Sequence, residues 1–110
     1  MNRTRHHSAA EAVRAVMAAR DLRRVAPDVD SVTTTPVYID GDHGPRMVVH
    51  VHLADVLRLP LAVDADTHRA ALAVLRRIYP RAQWSSNEYR YDVRPGRLLR
   101  LSPDVPADAQ

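Results

Sequence analysis

Twice along this chain, a stretch with helical apolar spacing stops at a proline and gives way to two strand-like stretches joined by a turn. The first stretch runs from Ser8 to Arg24. Val13, Val16, Met17 and Leu22 recur near the helical period among Arg14, Arg20, Arg23 and Arg24, which describes an amphipathic helix. Ser8 precedes Glu11 by three residues, the spacing of a capping box, and Pro27 follows as a stop. The second stretch runs from about Thr67 to Tyr79, with Asp64 or Asp66 as its cap. Ala71, Val74, Leu75 and Ile78 fall on one side of it, and Pro80 ends it.

Strand character follows each helix. Ser31 to Ile39 is rich in Val, Thr and Tyr, and Pro36 inside it implies an edge position or a bulge because proline cannot donate to a ladder. The turn cluster Asp40 to Pro45 leads into Arg46 to Leu53. There Met47, Val49, Val51 and Leu53 alternate with Arg46, Val48, His50 and His52. In the second half, Tyr89, Tyr91 and Val93 alternate with Glu88, Arg90, Asp92 and Arg94 over Asn87 to Val93. The tight-turn signal Arg94-Pro95-Gly96-Arg97 then returns the chain as Leu98 to Leu101. Residues 54–62 fit a strand, a loop or a short helical turn.

The expected fold is therefore α+β: a pseudo-repeated α-β-β unit in two layers, with a four-stranded antiparallel sheet and two helices on one face. Residues 8–101 form the expected single domain, between a flexible N-terminus at 1–7 and a flexible C-terminal tail at 102–110. A second parse is loosely similar to winged helix-turn-helix DNA binders. It takes Leu53 to Leu57 as a short helix, Thr67 to Tyr79 as a recognition helix, and Tyr89 to Leu101 as a wing with Arg94 and Arg97 at its tip. The connector 58–66 is long for that motif.

Composition narrows the chemistry. No apolar stretch approaches 18 residues, so no membrane span is expected. The absence of cysteine excludes disulfides, thiol catalysis and thiolate metal sites. No apolar segment follows the basic N-terminus, so it is not a secretory signal, and a cytoplasmic location is the expectation. All 16 Lys-plus-Arg positions are arginine, which first signals a GC-rich bacterial genome. No phenylalanine is present, so aromatic packing falls to Trp84 and four tyrosines.

Candidate chemistry is sparse. His50 and His52 share a face of their strand, and a first-row metal with His43 or Asp55 can be drawn there. A solvated histidine pair is the simpler account. Asp40-Gly41-Asp42 lacks the closing glutamate of a calcium loop. No catalytic set and no phosphate-binding glycine loop is present, so no cofactor and no enzymatic activity are expected.

The charge distribution says more. Residues 69–101 carry eight arginines against only Glu88 and Asp92. Arg90, Arg94, Arg97 and Arg100 from the second hairpin, Arg76 and Arg77 at the helix end, and His50 and His52 form the expected polyanion-binding set. An open sheet face bearing His50, His52, Arg90, Arg94, Arg100 and Tyr38 suits phosphate contacts and stacking. The expected function is a small non-enzymatic binding or regulatory module for nucleic acid or another polyanion. The alternatives are a protein–protein adaptor or homodimerising accessory protein, and a small metal-dependent enzyme using His50 and His52.

Overall fold

The computed structural model describes residues 2–101, with side chains from Ala9 onward; the expected tail at 102–110 lies outside the described residues. The first helix, α1, spans Asn2–Val25. Ser8 therefore lies inside the helix and is not its cap. Residues 2–7 contain no glycine or proline, and adding residues to a formed helix is far easier than starting one.

Of the four large apolar residues that the helical spacing marks on α1, only Leu22 turns inward. Ala15, Ala18, Ala19 and Leu22 are buried, at i, i+3, i+4 and i+7, and Ala26 continues the row. Val13, Val16 and Met17 are exposed at 58%, 68% and 41%. A row of alanines lets the helix axis approach its neighbours closely, and that closeness decides which side turns inward.

The second helix, α2, spans Ala65–Ile78. Asp64 caps it, accepting from Thr67 N at 2.8 Å and from Thr67 Oγ1 at 2.7 Å. The Thr67 hydroxyl, and then its amide, hold the Asp64 carboxyl below the ordinary aspartate value. Ala71, Val74, Leu75 and Ile78 are buried, as their spacing implies. At the far end Tyr79 N donates to Leu75 O at 2.8 Å, and Pro80 prevents continuation. No helix among the described residues is long and apolar enough to cross a membrane.

Four strands follow from the alternating segments: β1 (Ser31–Gly41), β2 (Gly44–Ala54), β3 (Glu88–Asp92) and β4 (Arg97–Leu101). They form one antiparallel sheet in the order β2-β1-β3-β4. Two helices on a four-stranded antiparallel sheet make this the α+β fold that the periodicities imply. Val32, Val51, Leu53, Tyr89 and Tyr91 from the sheet share one core with Ala18 and Leu22 of α1 and with Ala71, Val74 and Leu75 of α2.

The two hairpins are unequal. β1 and β2 pair over their full 11 residues, whereas β1 pairs with β3 only from Ser31 to Thr34. Pro36 thus sits in a central strand at a point where one neighbour has already ended, so no ladder donor is missing. Beyond it the β1–β2 hairpin continues as a two-stranded arm carrying Val37, Tyr38, Ile39, Met47 and Val48.

Residues 55–62 are neither a strand nor a helix. An isolated bridge pairs Ala54 with Pro60, and the Asp55 carboxylate accepts from Leu57 N at 2.9 Å and Leu59 N at 3.0 Å. This turn holds Arg58 at φ 65° and leaves Val56, Leu57 and Leu59 exposed. With no short helix before α2, the winged helix-turn-helix parse does not hold among the described residues.

Candidate functional site

Residues directly opposite one another in an antiparallel ladder share a face, so the register assigns each candidate side chain to one side of the sheet. His52, Thr33, Arg90 and Leu99 form one row across the open face, and His50 aligns with Thr35 in the next. The structure therefore brings His50, His52 and Arg90 together on the open face, as their alternation implies. Arg97 lies at the start of β4, opposite Asp92. Arg100 is opposite Tyr89 and Tyr38 is opposite Met47, so both belong to the helix-bearing face rather than the open one.

Three of the six arginines in the expected set are already paired. Arg90 Nε lies 3.1 Å from Asp92 Oδ1, and Arg94 Nε lies 3.1 Å from Asp30 Oδ1. Arg77 reaches Asp21 Oδ2 at 2.7 Å, joining the two helices, and Arg20 and Arg24 approach the same carboxylate. Arg76 is exposed on α2, away from the sheet's open face. Thr35 Oγ1 donates to Glu88 Oε2 at 3.0 Å, which places a second acid on that face. The open face is thus of mixed charge. Among the described residues no group of three or more His, Asp or Glu gathers at His50 and His52, so geometry adds nothing to a metal reading there.

The more concave surface lies on the helix side. A cleft of about 750 Å³ opens between α1, the end of α2 and β4, lined by Ala10, Arg14, Tyr79, Pro80, Arg81, Ala82, Tyr89 and Leu98. A smaller groove lined by Glu11, Ala12, Gly96 and Arg97 continues it along β4, sharing Tyr79 and Leu98. Local sequence explains each wall. The alanine row turns Arg14 to the flank of α1, Pro80 ends α2 so that Arg81 leaves the helix at the rim, and strand alternation points Tyr89 and Leu98 to this side.

The cleft floor is rigidly built. The Trp84 and Tyr89 rings lie 4.7 Å apart, and Gln83 N donates to the Tyr89 hydroxyl at 3.0 Å. The Tyr79 and Tyr91 rings are 6.3 Å apart. Burial pushes the Tyr79 hydroxyl above its ordinary value; Glu11 adds to that shift and Arg14 opposes it. Tyr79 therefore stays neutral at physiological pH and offers a hydroxyl rather than a charge.

Among the described residues Arg14, Arg81 and Arg100 have no ion-pair partner. Arg14 and Arg81 line the cleft, and Arg100 stands beside Tyr89 at its β4 side. Two unneutralised guanidinium groups over a largely apolar floor can hold a carboxylate or phosphate while the rest of a ligand covers Leu98, Ala82 and the tyrosines. Of the expected set, only Arg100 is near this cleft, with Arg97 in the adjoining groove. Arg14 lies outside the expected set because hydrophobic size points to Val13, Val16 and Met17 as the inner face of α1; the alanine spacing is the signal for the face that turns Arg14 to the cleft.

Comparison with family models, curated proteins and solved structures finds no match for this chain.

Proposed function

We propose that this chain is a small non-enzymatic binding module for a polyanionic partner, held at the cleft between α1, α2 and β4. The observation that carries this reading is the pair of unpaired arginines, Arg14 and Arg81, facing one apolar concavity. Its volume suits part of a chain or a compact ligand. Two features favour an acidic peptide segment over nucleic acid. Tyr89 is only 8% exposed, so it offers no ring face on which a base could stack. The free edge of β4 runs beside the cleft and presents backbone groups to an added extended segment. A cytoplasmic location, where acidic protein segments are plentiful, belongs to the same proposal.

The test compares a labelled oligoglutamate peptide with a single-stranded oligonucleotide across a salt series. The peptide should bind with an affinity that falls as salt rises, and Arg14→Ala or Arg81→Ala should each weaken it about tenfold, the loss of a charge-assisted contact. Arg90→Ala with Arg94→Ala should leave it nearly unchanged, since both side chains already face carboxylates. Preference for the oligonucleotide, lost with Arg90 and Arg94 but not with Arg14 and Arg81, would move the site to the open face and make nucleic acid the partner.

A second reading has its own observation. Tyr38 and Ile39 are exposed at 76% and 42% on the hairpin arm, where β1 has a free edge beyond Thr34. A homodimer pairing these arms would cover them. Scattering would show a dimer that Ile39→Glu returns to a monomer.

A further inference from the structure

We propose that the cleft is one end of a longer trough along α1, and that its partner is an extended segment with acidic residues at both ends and uncharged residues between, gripped at the two ends of that trough. The proposal rests on the reading of the cleft as an anion site and adds the charge pattern its partner carries. Three concavities joined by shared walls make the trough. The cleft and the groove beside β4 have Tyr79 and Leu98 in common. That groove shares Ala15, Pro95 and Gly96 with a third concavity of about 340 Å³ between α1 and the β3–β4 turn, where Arg20 and Arg23 stand on the α1 side. At the crossing the walls are close: a Cβ on Gly96 would stand 3.4 Å from that of Ala15. Neither residue has a side chain longer than a methyl, so nothing bars an extended backbone there.

Positive charge is concentrated at the two ends. Arg14 and Arg81 hold one end, and no acid lines it. No acid lines the other end either. There Arg23 has no ion-pair partner among the described residues, and Arg20 has only a share of Asp21. Arg77 takes the closest contact with that carboxylate at 2.7 Å, against 3.6 Å for Arg20 and 4.0 Å for Arg24. One carboxylate among three guanidinium groups leaves positive charge in excess. Arg94 also lines this end, but its Nε faces Asp30, so the grip falls to Arg20 and Arg23. The middle is different, because Glu11 and Arg97 both line it and their charges offset. A ligand charged at every position would meet Glu11, whereas one with acids only at its ends would not.

The helix supplies the ruler. At a rise of about 1.5 Å per residue, Arg14 and Arg23 lie roughly 14 Å apart along α1. An extended peptide advances about 3.3–3.6 Å per residue, so acids four or five positions apart match that span. Four adjacent acids cover only roughly 10 Å and fill one end. Exposed ion pairs are individually weak, but once one end of the segment is seated the other is tethered beside its arginines, and the second contact forms at a high effective concentration.

Two labelled peptides of one composition test this on the full chain: Glu-Glu-Ser-Ser-Ser-Ser-Glu-Glu and Ser-Ser-Glu-Glu-Glu-Glu-Ser-Ser. The spaced peptide should bind about fivefold more tightly than the compact one, the worth of an added exposed contact. Arg20→Gln with Arg23→Gln should remove that advantage and leave the compact peptide nearly unchanged, whereas Arg14→Gln with Arg81→Gln should weaken both. All four arginines are exposed, so the variants should keep the fold, which an unchanged urea midpoint checks. In an NMR titration both peptides should shift the Leu98 amide, and only the spaced one the Ala19 and Gly96 amides. Equal affinity for the two peptides, or an equal loss of both with Arg20→Gln and Arg23→Gln, overturns the two-ended grip and leaves the cleft reading standing. Binding that ignores Arg14 and Arg81, or no binding of either peptide, overturns the cleft reading and the grip with it. An eight-nucleotide single strand that binds more tightly than the spaced peptide and needs both arginine pairs overturns the acidic-segment partner in favour of nucleic acid.

Discussion

The hydroxyl of Tyr91, one residue from the end of β3, donates a hydrogen bond to the backbone carbonyl of Ala15 in the middle of α1. It is the polar fastening between the sheet and the helix that forms one wall of the cleft. Tyr91 is fully buried, and burial pushes its hydroxyl well above the ordinary tyrosine value.

Removing that hydroxyl should cost about 1 kcal/mol, the typical net worth of such a bond, so Tyr91→Phe should lower the urea midpoint without changing the denaturant slope. The pH dependence follows from the raised value. An unfolded phenol ionises near 10.0 while the folded one stays neutral, so the stabilisation is complete below that pH and declines as pH rises above it. The stability of the unaltered chain should therefore drop on the alkaline side more steeply than that of Tyr91→Phe. Equal slopes in the two proteins would contradict the assignment.

Thr34 offers the opposite case. It is fully buried on the helix side of β1, and its Oγ1 has no partner among the described residues. Valine has nearly the same shape and equal suitability for a strand. Thr34→Val should raise the midpoint of thermal unfolding, by a gain of about 1 kcal/mol from not desolvating an unpaired hydroxyl. A destabilised variant would reveal a bond that Thr34 makes in solution.

Gly96 should not tolerate a side chain. Its φ is +87°, and a Cβ there would stand 3.4 Å from the Cβ of Ala15. Gly96→Ala should cost about 1–2 kcal/mol, mostly from the left-handed backbone. Adding Ala15→Gly relieves the contact but not the backbone, so the double variant should recover little, as an unfolding titration would show.

Arg58 holds a left-handed conformation at φ 65° without being glycine. Arg58→Gly should be neutral or stabilising by up to about 1 kcal/mol, and Arg58→Val clearly destabilising, because a β-branched residue resists that conformation most. Calorimetry on the pair gives the sign directly.

The elements of this fold were largely legible in the sequence because they depend on local signals. Asp64 beside Thr67, the alternation from Met47 to Leu53, and Pro80 each fix a boundary through contacts within a few residues. What was not legible depends on tertiary closeness. Hydrophobic size pointed to Val13, Val16 and Met17 as the inner face of α1, whereas the bound distance between helix and sheet selects Ala15, Ala18 and Ala19. That rotation moved Arg14 into the cleft. The pairing within the expected basic set was hidden for a related reason: Arg90, Arg94 and Arg77 find carboxylates at Asp92, Asp30 and Asp21, two of them far away in sequence. Charge counts along the chain cannot register such pairing.

The alanine row of α1 also inverts the usual map of what this helix will accept. Its bulky outward positions, 13, 16 and 17, are open to polar replacement with little loss, whereas a single methylene added at 15, 18 or 19 would act as a wedge against the β3–β4 turn and α2. Drift in a lineage carrying this domain should therefore run fastest through its largest α1 side chains and stall at its smallest. The arginine at position 14, set between the two zones, would be steered by whatever occupies the cleft.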